Sequence, residues 1–230
     1  MADNARLVTD LRHTLIVSCQ ARPGEHLDNP SILAAMAQTV VQAGASAIRA
    51  NGPANIRAIR QVVSVPIFGI FKREYDDSAV YITPTMREVH EIIEAGSDIL
   101  TVDATNGPRP DGQSLEDFFQ TLKEMCDLPI MADVSTAEEG IHAAELGADL
   151  VATTLAGYTP YSRQLNKPDF QLVRDLAESI KVPVIAEGRI STPEDARTML
   201  DLGAYAVVVG SMITRPGHIT QHFLTGMKLP

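Results

Sequence analysis

The chain has 230 residues, with 29 acidic and 19 basic side chains and a formal net charge of −10. The basic residues are scattered, which argues against a nucleic-acid surface or an anionic membrane as the main partner. The two cysteines form no CxxC motif, no apolar run is long enough to span a membrane, and the charged first ten residues do not resemble a secretory signal. We therefore expect a single cytoplasmic domain covering residues 1–230, in a compartment that keeps cysteines reduced.

Eight short apolar runs follow one another along the chain, and each ends in a polar or charged side chain. In chain order these terminal residues are Gln20, Arg49, Lys72, Asp103, Asp133, Thr153 with Thr154, Glu187 and Ser211. Short apolar runs separated by helix-like segments are typical of parallel strands that are buried on both faces. In a (β/α)8 barrel, or TIM barrel, the carboxyl ends of eight such strands surround one active site. The sequence therefore predicts an α/β fold of this type.

Two kinds of strand start alternate along the chain and support the barrel. One is a helix-ending glycine before a small residue, at Gly44, Gly96, Gly147 and Gly203. The other is a proline between apolar residues, at Pro66, Pro129 and Pro183. Glycine supplies the left-handed conformation that ends a helix, and proline at the first position of a strand removes no ladder hydrogen bond. An open doubly wound sheet shares this alternation, but no glycine-rich dinucleotide-binding fingerprint follows the first run.

Helix starts and three long connections complete the pattern. Helix N-termini are predicted at Asn29-Pro30, Pro53, Pro84-Thr85, Ser114, Ser135-Thr136 and Ser191-Thr192. These residues cap the free amides of a first turn or preset its conformation. Segments 73–83, 104–113 and 156–168 are longer than the other strand-to-helix connections. Long loops in a compact domain usually cover or bind a ligand.

Lys72 is the main candidate for proton transfer. It follows a buried run, and Arg49 belongs to the preceding run, so the predicted barrel places a cation beside it. A lysine acts as a base only if its pKa falls well below about 10.4, and burial or a nearby cation has that effect. The competing interpretation is a solvated lysine beside the charged residues that follow it.

Glu187 is the candidate catalytic carboxylate. At the mouth of a barrel it can orient Lys72, accept a substrate hydroxyl or transfer a proton. The alternative is a structural salt bridge between Glu187 and Arg189, which would fix the loop after the seventh strand.

The remaining strand ends are candidates for substrate binding. They are Gln20, Arg49, Asp133 and Thr153. Arginine offers a planar fork of donors that suits hydroxyl and carbonyl oxygens. Asp133 has the alternative role of capping the helix that follows it, and Asp103 either faces the substrate or is a charge inside the barrel paired with a lysine.

The last two strands are followed by residues suited to phosphate binding. Gly188 and Arg189 follow the seventh strand, Gly210 and Ser211 follow the eighth, and Arg215 leads into the final helix. Barrels commonly bind phosphate at these two loops and at a short additional helix. Glycine allows backbone amides to approach an anion, and arginine adds charge-assisted hydrogen bonds. No histidine or carboxylate spacing typical of metal ligands occurs at the strand ends, so a divalent metal is not expected in the active site.

Eight segments carry a resemblance to a known family. They are LIVSCQ, IRANG, FKREY, ITPTMREV, MADVSTAEEG, TTLAGYTPYS, VIAEGRISTPE and VVVGSMITRP. Taken together, over almost the whole chain, they resemble the N-acetylmannosamine-6-phosphate 2-epimerases of bacterial sialic-acid catabolism. The resemblance implies a (β/α)8 barrel without metal or organic cofactor, which interconverts N-acetylmannosamine 6-phosphate and N-acetylglucosamine 6-phosphate.

The resemblance also implies roles for single residues. Lys72 matches the catalytic lysine and Glu187 its partner, and Arg215 matches the phosphate arginine. The substrate-holding positions of the family match Gln20, Arg49 and Asp133. The segment around Asn106-Gly107 is less basic than in the family, so the resemblance assigns no role to that loop.

Inverting C2 of an N-acetyl sugar phosphate requires removal of the proton next to the C1 carbonyl, so the sugar should react as its open-chain aldehyde. Lys72 is expected to take this proton, while Arg49 lowers its pKa and stabilises the enolate oxygen. Two other classes stay open: another metal-independent phosphosugar isomerase or epimerase, and a non-catalytic barrel that binds RNA or a sugar phosphate. The acidic composition argues against RNA. The oligomeric state is left open, with a homodimer as the candidate.

Overall fold

A computed structural model describes residues 2–227 and shows a closed barrel of eight parallel strands. The strands are β1 Leu15–Cys19, β2 Ala47–Asn51, β3 Ile67–Ile70, β4 Ile99–Asp103, β5 Ile130–Asp133, β6 Leu150–Ala152, β7 Val184–Glu187 and β8 Ala206–Val209. Parallel pairing of Leu15 to Val17 with Val207 to Val209 joins β1 to β8 and closes the ring. The predicted (β/α)8 fold is therefore confirmed and the open sheet is wrong. Of the expected domain, residue 1 and residues 228–230 lie outside the described residues.

Helices alternate with the strands. They are α1 Ala2–Thr9, α2 Pro30–Gln42, α3 Pro53–Arg60, α4 Met86–Glu94, α5 Leu115–Met125, α6 Ala137–Glu145, α7 Phe170–Ser179, α8 Pro193–Asp201, α9 Ser211–Thr214 and α10 Pro216–Gly226. The predicted starts are confirmed: the side chains of Asn29 and Ser114 cap α2 and α5, and Thr85 forms a capping box with Glu88 at α4. Among the described residues, no helix combines the length and apolar character needed to cross a membrane.

The two predicted kinds of strand start are also confirmed. Gly44, Gly96, Gly147 and Gly203 follow even-numbered helices with φ of 113°, 97°, 88° and 102°. This is the left-handed conformation that ends a helix. Pro66 and Pro129 precede β3 and β5, and their carbonyls accept the amides of Ile48 and Leu100 at 2.9 Å. Each proline has no backbone N–H, which costs no ladder hydrogen bond at the start of a strand. Its carbonyl still accepts a hydrogen bond from the neighbouring strand.

The interior of the barrel changes from apolar to polar along the strands. A buried cluster that includes Ile16, Phe68 and Met131 fills its N-terminal part. Helix α1, which the sequence patterns did not predict, packs Leu7 and Val8 against this cluster. Because side chains alternate between the two faces of a strand, residues two positions further along point to the same interior. Ala47, Met131 and Ile185 belong to the buried cluster. The residues two positions after them are Arg49, Asp133 and Glu187, which therefore lie on the inner face at the C-terminal mouth.

Candidate active site

A buried network of four side chains forms the floor of the barrel mouth. The Arg49 guanidinium, 1% exposed, donates to Asp133 Oδ1 at 3.1 Å and to Asp133 Oδ2 at 2.5 Å. It also donates to Glu187 Oε2 at 2.8 Å. Thr154 Oγ1 lies 2.6 Å from Asp133 Oδ1 and 3.0 Å from Glu187 Oε2. Because a hydroxyl has one hydrogen, Thr154 can donate to only one of these carboxylates at a time.

Burial and pairing set the protonation of this floor. Burial disfavours the charged form of Arg49, but Asp133 and Glu187 outweigh it and raise the Arg49 pKa. For Glu187, burial is the largest influence and raises its pKa; the charge of Asp133 adds to the rise, and Arg49 opposes it. Arg49 therefore stays a cation, while Glu187 titrates above the ordinary range of a glutamate.

The backbone on both sides of Lys72 is held in place. The Lys72 amide donates to Asn51 Oδ1 at 2.8 Å, and the Phe71 amide donates to Thr83 Oγ1 at 3.1 Å. Lys72 forms an antiparallel bridge with Ile82, so the loop after β3 returns and extends the strand. Thr83 is fully buried and has a φ of 49°, a conformation that is strained for a β-branched residue. This return keeps Lys72 on the inner face of the barrel.

The electrostatic surroundings of Lys72 favour its neutral form. Burial is the largest cause of a lowered pKa, Arg49 lowers the pKa further, and Arg22 adds to the effect; Glu187 and Asp133 oppose it. Within residues 2–227 the Lys72 amine takes part in no ion pair and no side-chain hydrogen bond. Solvent still reaches the Lys72 side chain, but the walls of the mouth and Arg49 shift its pKa in the expected direction.

The predicted substrate contacts Gln20 and Thr153 have different surroundings. Gln20 is partly exposed at the mouth and donates to Ser18 Oγ at 2.8 Å. Thr153 points to the outer face, where its hydroxyl donates to the Glu187 carbonyl at 2.9 Å and accepts the Glu187 amide at 3.1 Å. The expectation that Thr153 contacts substrate is therefore corrected: it fixes the backbone of Glu187, and Thr154 is the threonine of the inner face.

Two alternatives left open by the sequence are wrong. Asp133 does not cap α6, because Thr136 and Glu139 form a capping box there. Asp103 has no lysine partner among the described residues; it accepts the Thr105 amide at 3.0 Å and the Thr105 hydroxyl at 2.6 Å. Burial raises the pKa of Asp103, and these hydrogen bonds oppose the rise.

Arg49 and Asp133 were expected to hold the substrate directly. Asp133 is fully buried, and both of its oxygens are bound within the network. Arg49 uses both terminal nitrogens of its guanidinium on Asp133 and Glu187. In the described contacts, Arg49 and Asp133 hold Glu187 in place and influence the protonation of Lys72. Their hydrogen-bonding groups are engaged with each other and with Glu187.

Arg189 is partly exposed and supports the loop after β6. Its guanidinium donates to the Ala156 carbonyl at 2.6 Å and to the Gly157 carbonyl at 3.2 Å, and lies 4.7 Å from the centre of the Tyr158 ring. A Cβ at Gly157 would lie 2.9 Å from Arg189 Nη2, so glycine allows this close approach. Among the described residues Arg189 forms no salt bridge with Glu187, so that alternative is wrong. The phosphate-binding role of Arg189 stays a prediction.

The other four phosphate candidates follow the neighbouring strands β7 and β8. Gly188, with a φ of 117°, follows β7; Gly210 follows β8, and Ser211 begins α9. Arg215 lies between α9 and α10, where its guanidinium pairs with Glu25. Glu25 belongs to segment 20–29, which connects β1 to α2 and which the sequence patterns did not single out as functional.

Three further residues of the mouth were not predicted. Asn51 and Thr154 each lie two positions after an inner-face residue, so strict alternation along β2 and β6 is the signal that could have found them. Tyr81, in the loop after β3, is partly buried, and burial followed by the charge of Asp103 raises its pKa. Within residues 2–227 no group of histidine, cysteine or carboxylate side chains is arranged to hold a metal ion. Metal independence stays a prediction.

Comparison with known sequences identifies relatives over nearly the whole chain. A family model described as "Putative N-acetylmannosamine-6-phosphate epimerase" matches residues 33–229. A protein of Caldanaerobacter subterraneus subsp. tengcongensis is 51% identical over 223 residues, which are 96% of this chain and 94% of that protein. A protein of Clostridium perfringens strain 13 is 49% identical over 218 residues, 95% of this chain and 98% of its own. Both are named "Putative N-acetylmannosamine-6-phosphate 2-epimerase".

Solved structures agree with the sequence comparison. The structure of the N-acetylmannosamine-6-phosphate 2-epimerase from Clostridium perfringens superposes with a TM-score of 0.93 at 47% identity, covering 96% of each chain. A thiamine phosphate pyrophosphorylase from Pyrococcus furiosus covers 96% of each chain with a TM-score of 0.58 at 18% identity. The second similarity shows the barrel fold alone.

Proposed function

Because the chain belongs to the N-acetylmannosamine-6-phosphate 2-epimerase family, we propose that it interconverts N-acetylmannosamine 6-phosphate and N-acetylglucosamine 6-phosphate. The observation that carries this proposal is the state of Lys72. Its side chain lies on the inner face of the mouth, where solvent still reaches it, and desolvation there, together with the charge of the paired Arg49, lowers its pKa. A neutral amine in this position is the base that epimerisation next to a carbonyl requires.

The proposed chemistry begins with the open-chain sugar. Neutral Lys72 removes the C2 proton, and the C–H electron pair moves to form the C1–C2 double bond while the C1 carbonyl becomes an enolate oxygen. Return of a proton to the opposite face of C2 yields the epimer. Arg49 acts by keeping the Lys72 pKa low and by fixing Glu187. Since Glu187 Oε2 is engaged by Arg49 and Thr154, its Oε1 is the oxygen left to orient Lys72 or to bind a sugar hydroxyl.

The phosphate end of the substrate is proposed to bind where β7 and β8 end. Gly188, Gly210 and Ser211 supply backbone amides there, and Arg215 supplies a guanidinium beside them. Loops after the last two strands are the common phosphate site of this fold. With the phosphate at this edge of the mouth, the sugar chain extends over the floor formed by Arg49 and Glu187.

The decisive experiment is proton NMR in D2O with N-acetylmannosamine 6-phosphate and the purified protein. The proposal expects loss of the C2–H signal together with appearance of the N-acetylglucosamine epimer. An unchanged spectrum would overturn the epimerase. Conversion of a sugar phosphate with a C2 hydroxyl to its ketose would then indicate an aldose–ketose isomerase, and no turnover would indicate a binding protein. Unphosphorylated N-acetylmannosamine should react poorly, and protein treated with EDTA and desalted should retain its activity.

We also propose that two copies of the chain associate through α10. No residue of α10 is buried, and Phe223 and Leu224 are 63% and 51% exposed. Leu15, in β1, is 37% exposed although it belongs to a barrel strand. A second copy that covers these apolar side chains would remove them from water. Light scattering should give twice the mass of the chain, and Phe223→Asp should shift the mass towards the monomer.

A cytoplasmic location is part of the same proposal. Cys19 and Cys126 are both free thiols, as expected in a reducing compartment. A sugar phosphate is a charged substrate that does not cross membranes unaided, so an enzyme acting on it belongs where it is produced.

A further inference from the structure

Arg215, the arginine assigned to the substrate phosphate, already has an anionic partner. Its guanidinium pairs with Glu25 Oε1, from the segment 20–29 that connects β1 to α2. The second oxygen, Glu25 Oε2, accepts the Arg22 amide at 2.9 Å. The two side chains of the pair are 27% and 35% exposed, so the contact lies at the rim of the mouth and is open to water.

A phosphate monoester is a stronger partner for Arg215 than Glu25 is. It carries a charge of about −1.5 to −2 near neutral pH and offers three acceptor oxygens. A carboxylate carries one charge, and a partly exposed ion pair contributes little because solvent screens it. The Arg215–Glu25 contact is therefore weak enough to be exchanged when a phosphate arrives.

We propose that Glu25 is a built-in competitor of the substrate phosphate, which occupies Arg215 in the free protein and is displaced when the phosphoryl group binds. This inference rests on the phosphate site described under the proposed function. The competitor lowers the apparent affinity of the site for every anion by the same factor, the fraction of protein in which Arg215 is free. Only an anion with a high intrinsic affinity, such as a dianionic phosphoryl group, then displaces Glu25 readily.

The surrounding structure permits this exchange. Helix α2 is capped by Asn29, whose Oδ1 accepts the Ser31 amide at 2.9 Å, so the helix does not depend on Glu25. Thr214 Oγ1 donates to the Ser18 carbonyl at 2.8 Å and ties α9 to β1 independently of Arg215. Release of Glu25 can therefore be confined to segment 20–29.

The same segment offers a matched control. Asp28 carries the same charge as Glu25 and accepts the Gly24 amide at 3.1 Å through Oδ2, but no arginine pairs with it among the described residues. Asp28→Asn removes one negative charge from the segment without freeing Arg215. Glu25→Gln removes the charge that faces Arg215 and keeps an amide oxygen for Arg22.

Calorimetric titration with inorganic phosphate tests the inference without any need for turnover. Glu25→Gln should lower the phosphate Kd about two- to five-fold, the range expected for loss of a partly exposed ion pair. Asp28→Asn should leave the Kd within error, and Arg215→Ala should raise it at least about ten-fold, as expected for loss of a hydrogen bond to a charged group. The KM of Glu25→Gln for N-acetylmannosamine 6-phosphate should fall in parallel.

The other possible outcomes either overturn the inference or separate it from the proposed activity. An unchanged or higher phosphate Kd in Glu25→Gln overturns the competitor, as does an equal decrease in Asp28→Asn, which would show a general charge effect. Unchanged phosphate binding in Arg215→Ala overturns it too. Glu25→Gln could bind phosphate more tightly while the wild-type protein fails to exchange the C2 proton. That result would support the competitor and overturn the proposed epimerase activity.

Discussion

The two arginines of the barrel mouth are held in opposite ways. Arg49 is 1% exposed and is bound by Asp133 and Glu187, which project from different strands. Arg215 is 27% exposed and is bound by one carboxylate from a connecting segment. Removing one partner of a buried ion pair leaves an uncompensated charge, whereas partners of an exposed pair are exchanged at little cost. The ion pairs of Arg49 at the floor of the mouth are therefore expected to persist, whereas the ion pair of Arg215 at the phosphate edge is expected to exchange.

Lys72 differs from both arginines. It lies on the fixed side of the mouth, but no carboxylate pairs with it within the described residues, and Arg49 acts on it as a like charge. Arg49 has two carboxylates to compensate its burial, so it keeps its proton. The same set of charges therefore holds one cation in its charged form and drives the other towards its neutral form.

The largest effect is expected at Lys72 itself. Lys72→Ala should abolish both epimer formation and exchange of the C2 proton into D2O, because the base is removed. Lys72→Arg should fail as well, since a guanidinium does not release a proton near neutral pH. Circular dichroism and phosphate titration should show that fold and phosphate binding persist in both variants. Exchange near the wild-type rate in Lys72→Ala would remove the lysine from the mechanism and move the base to Glu187.

The fixed floor can be broken by removing Asp133. Asp133→Ala leaves the buried Arg49 guanidinium without its two-oxygen partner, and loss of one member of a buried pair destabilises a protein by about 3–5 kcal/mol. Urea unfolding measures this change in free energy. As a control, Asp201→Ala removes the exposed partner of Arg197 on α8 and should change stability little. Equal destabilisation by the two substitutions would show that the Arg49 network does not hold the floor.

Residues on strands were predicted better than residues on loops, and the reason is geometric. The period of two along a strand fixes which face a side chain takes, so Lys72, Arg49 and Glu187 could be placed at the mouth from sequence. The partner of an arginine depends instead on which loop returns to it. Arg189 turned to the carbonyls of the loop after β6, and Arg215 turned to Glu25.

Two errors show the limits of local patterns. Thr153 and Thr154 are neighbours with the same side chain, and alternation from the inner-face residues Leu150 and Ala152 decides that Thr154 faces inward. Helix α1 was missed because its apolar side chains become recognisable as a cover only when the N-terminal end of the barrel is seen. This second error depends on long-range packing, which neither composition nor capping residues report.

The smallest effect tests the electrostatic part of the comparison. Arg22 is exposed, and its charge lowers the Lys72 pKa. Because neutral Lys72 is the active form, kcat/KM should fall as pH decreases through its pKa. Arg22→Gln removes a positive charge, so the pKa rises and this fall moves to higher pH. Screening by solvent keeps the move small, and added salt should reduce it further.

The measurement is the pH dependence of kcat/KM for wild type and Arg22→Gln at two ionic strengths. The position of the acid limb is compared rather than its height, because Arg22 lies near Glu25 and its loss can also alter phosphate affinity. Arg197→Gln removes the same charge from α8, where Arg197 pairs with Asp201, and should leave the limb in place. The idea is contradicted if the acid limb of Arg22→Gln moves to lower pH, or if the limbs of both variants move equally. In either case the acid limb would not report the protonation of a lysine controlled by cations at the mouth.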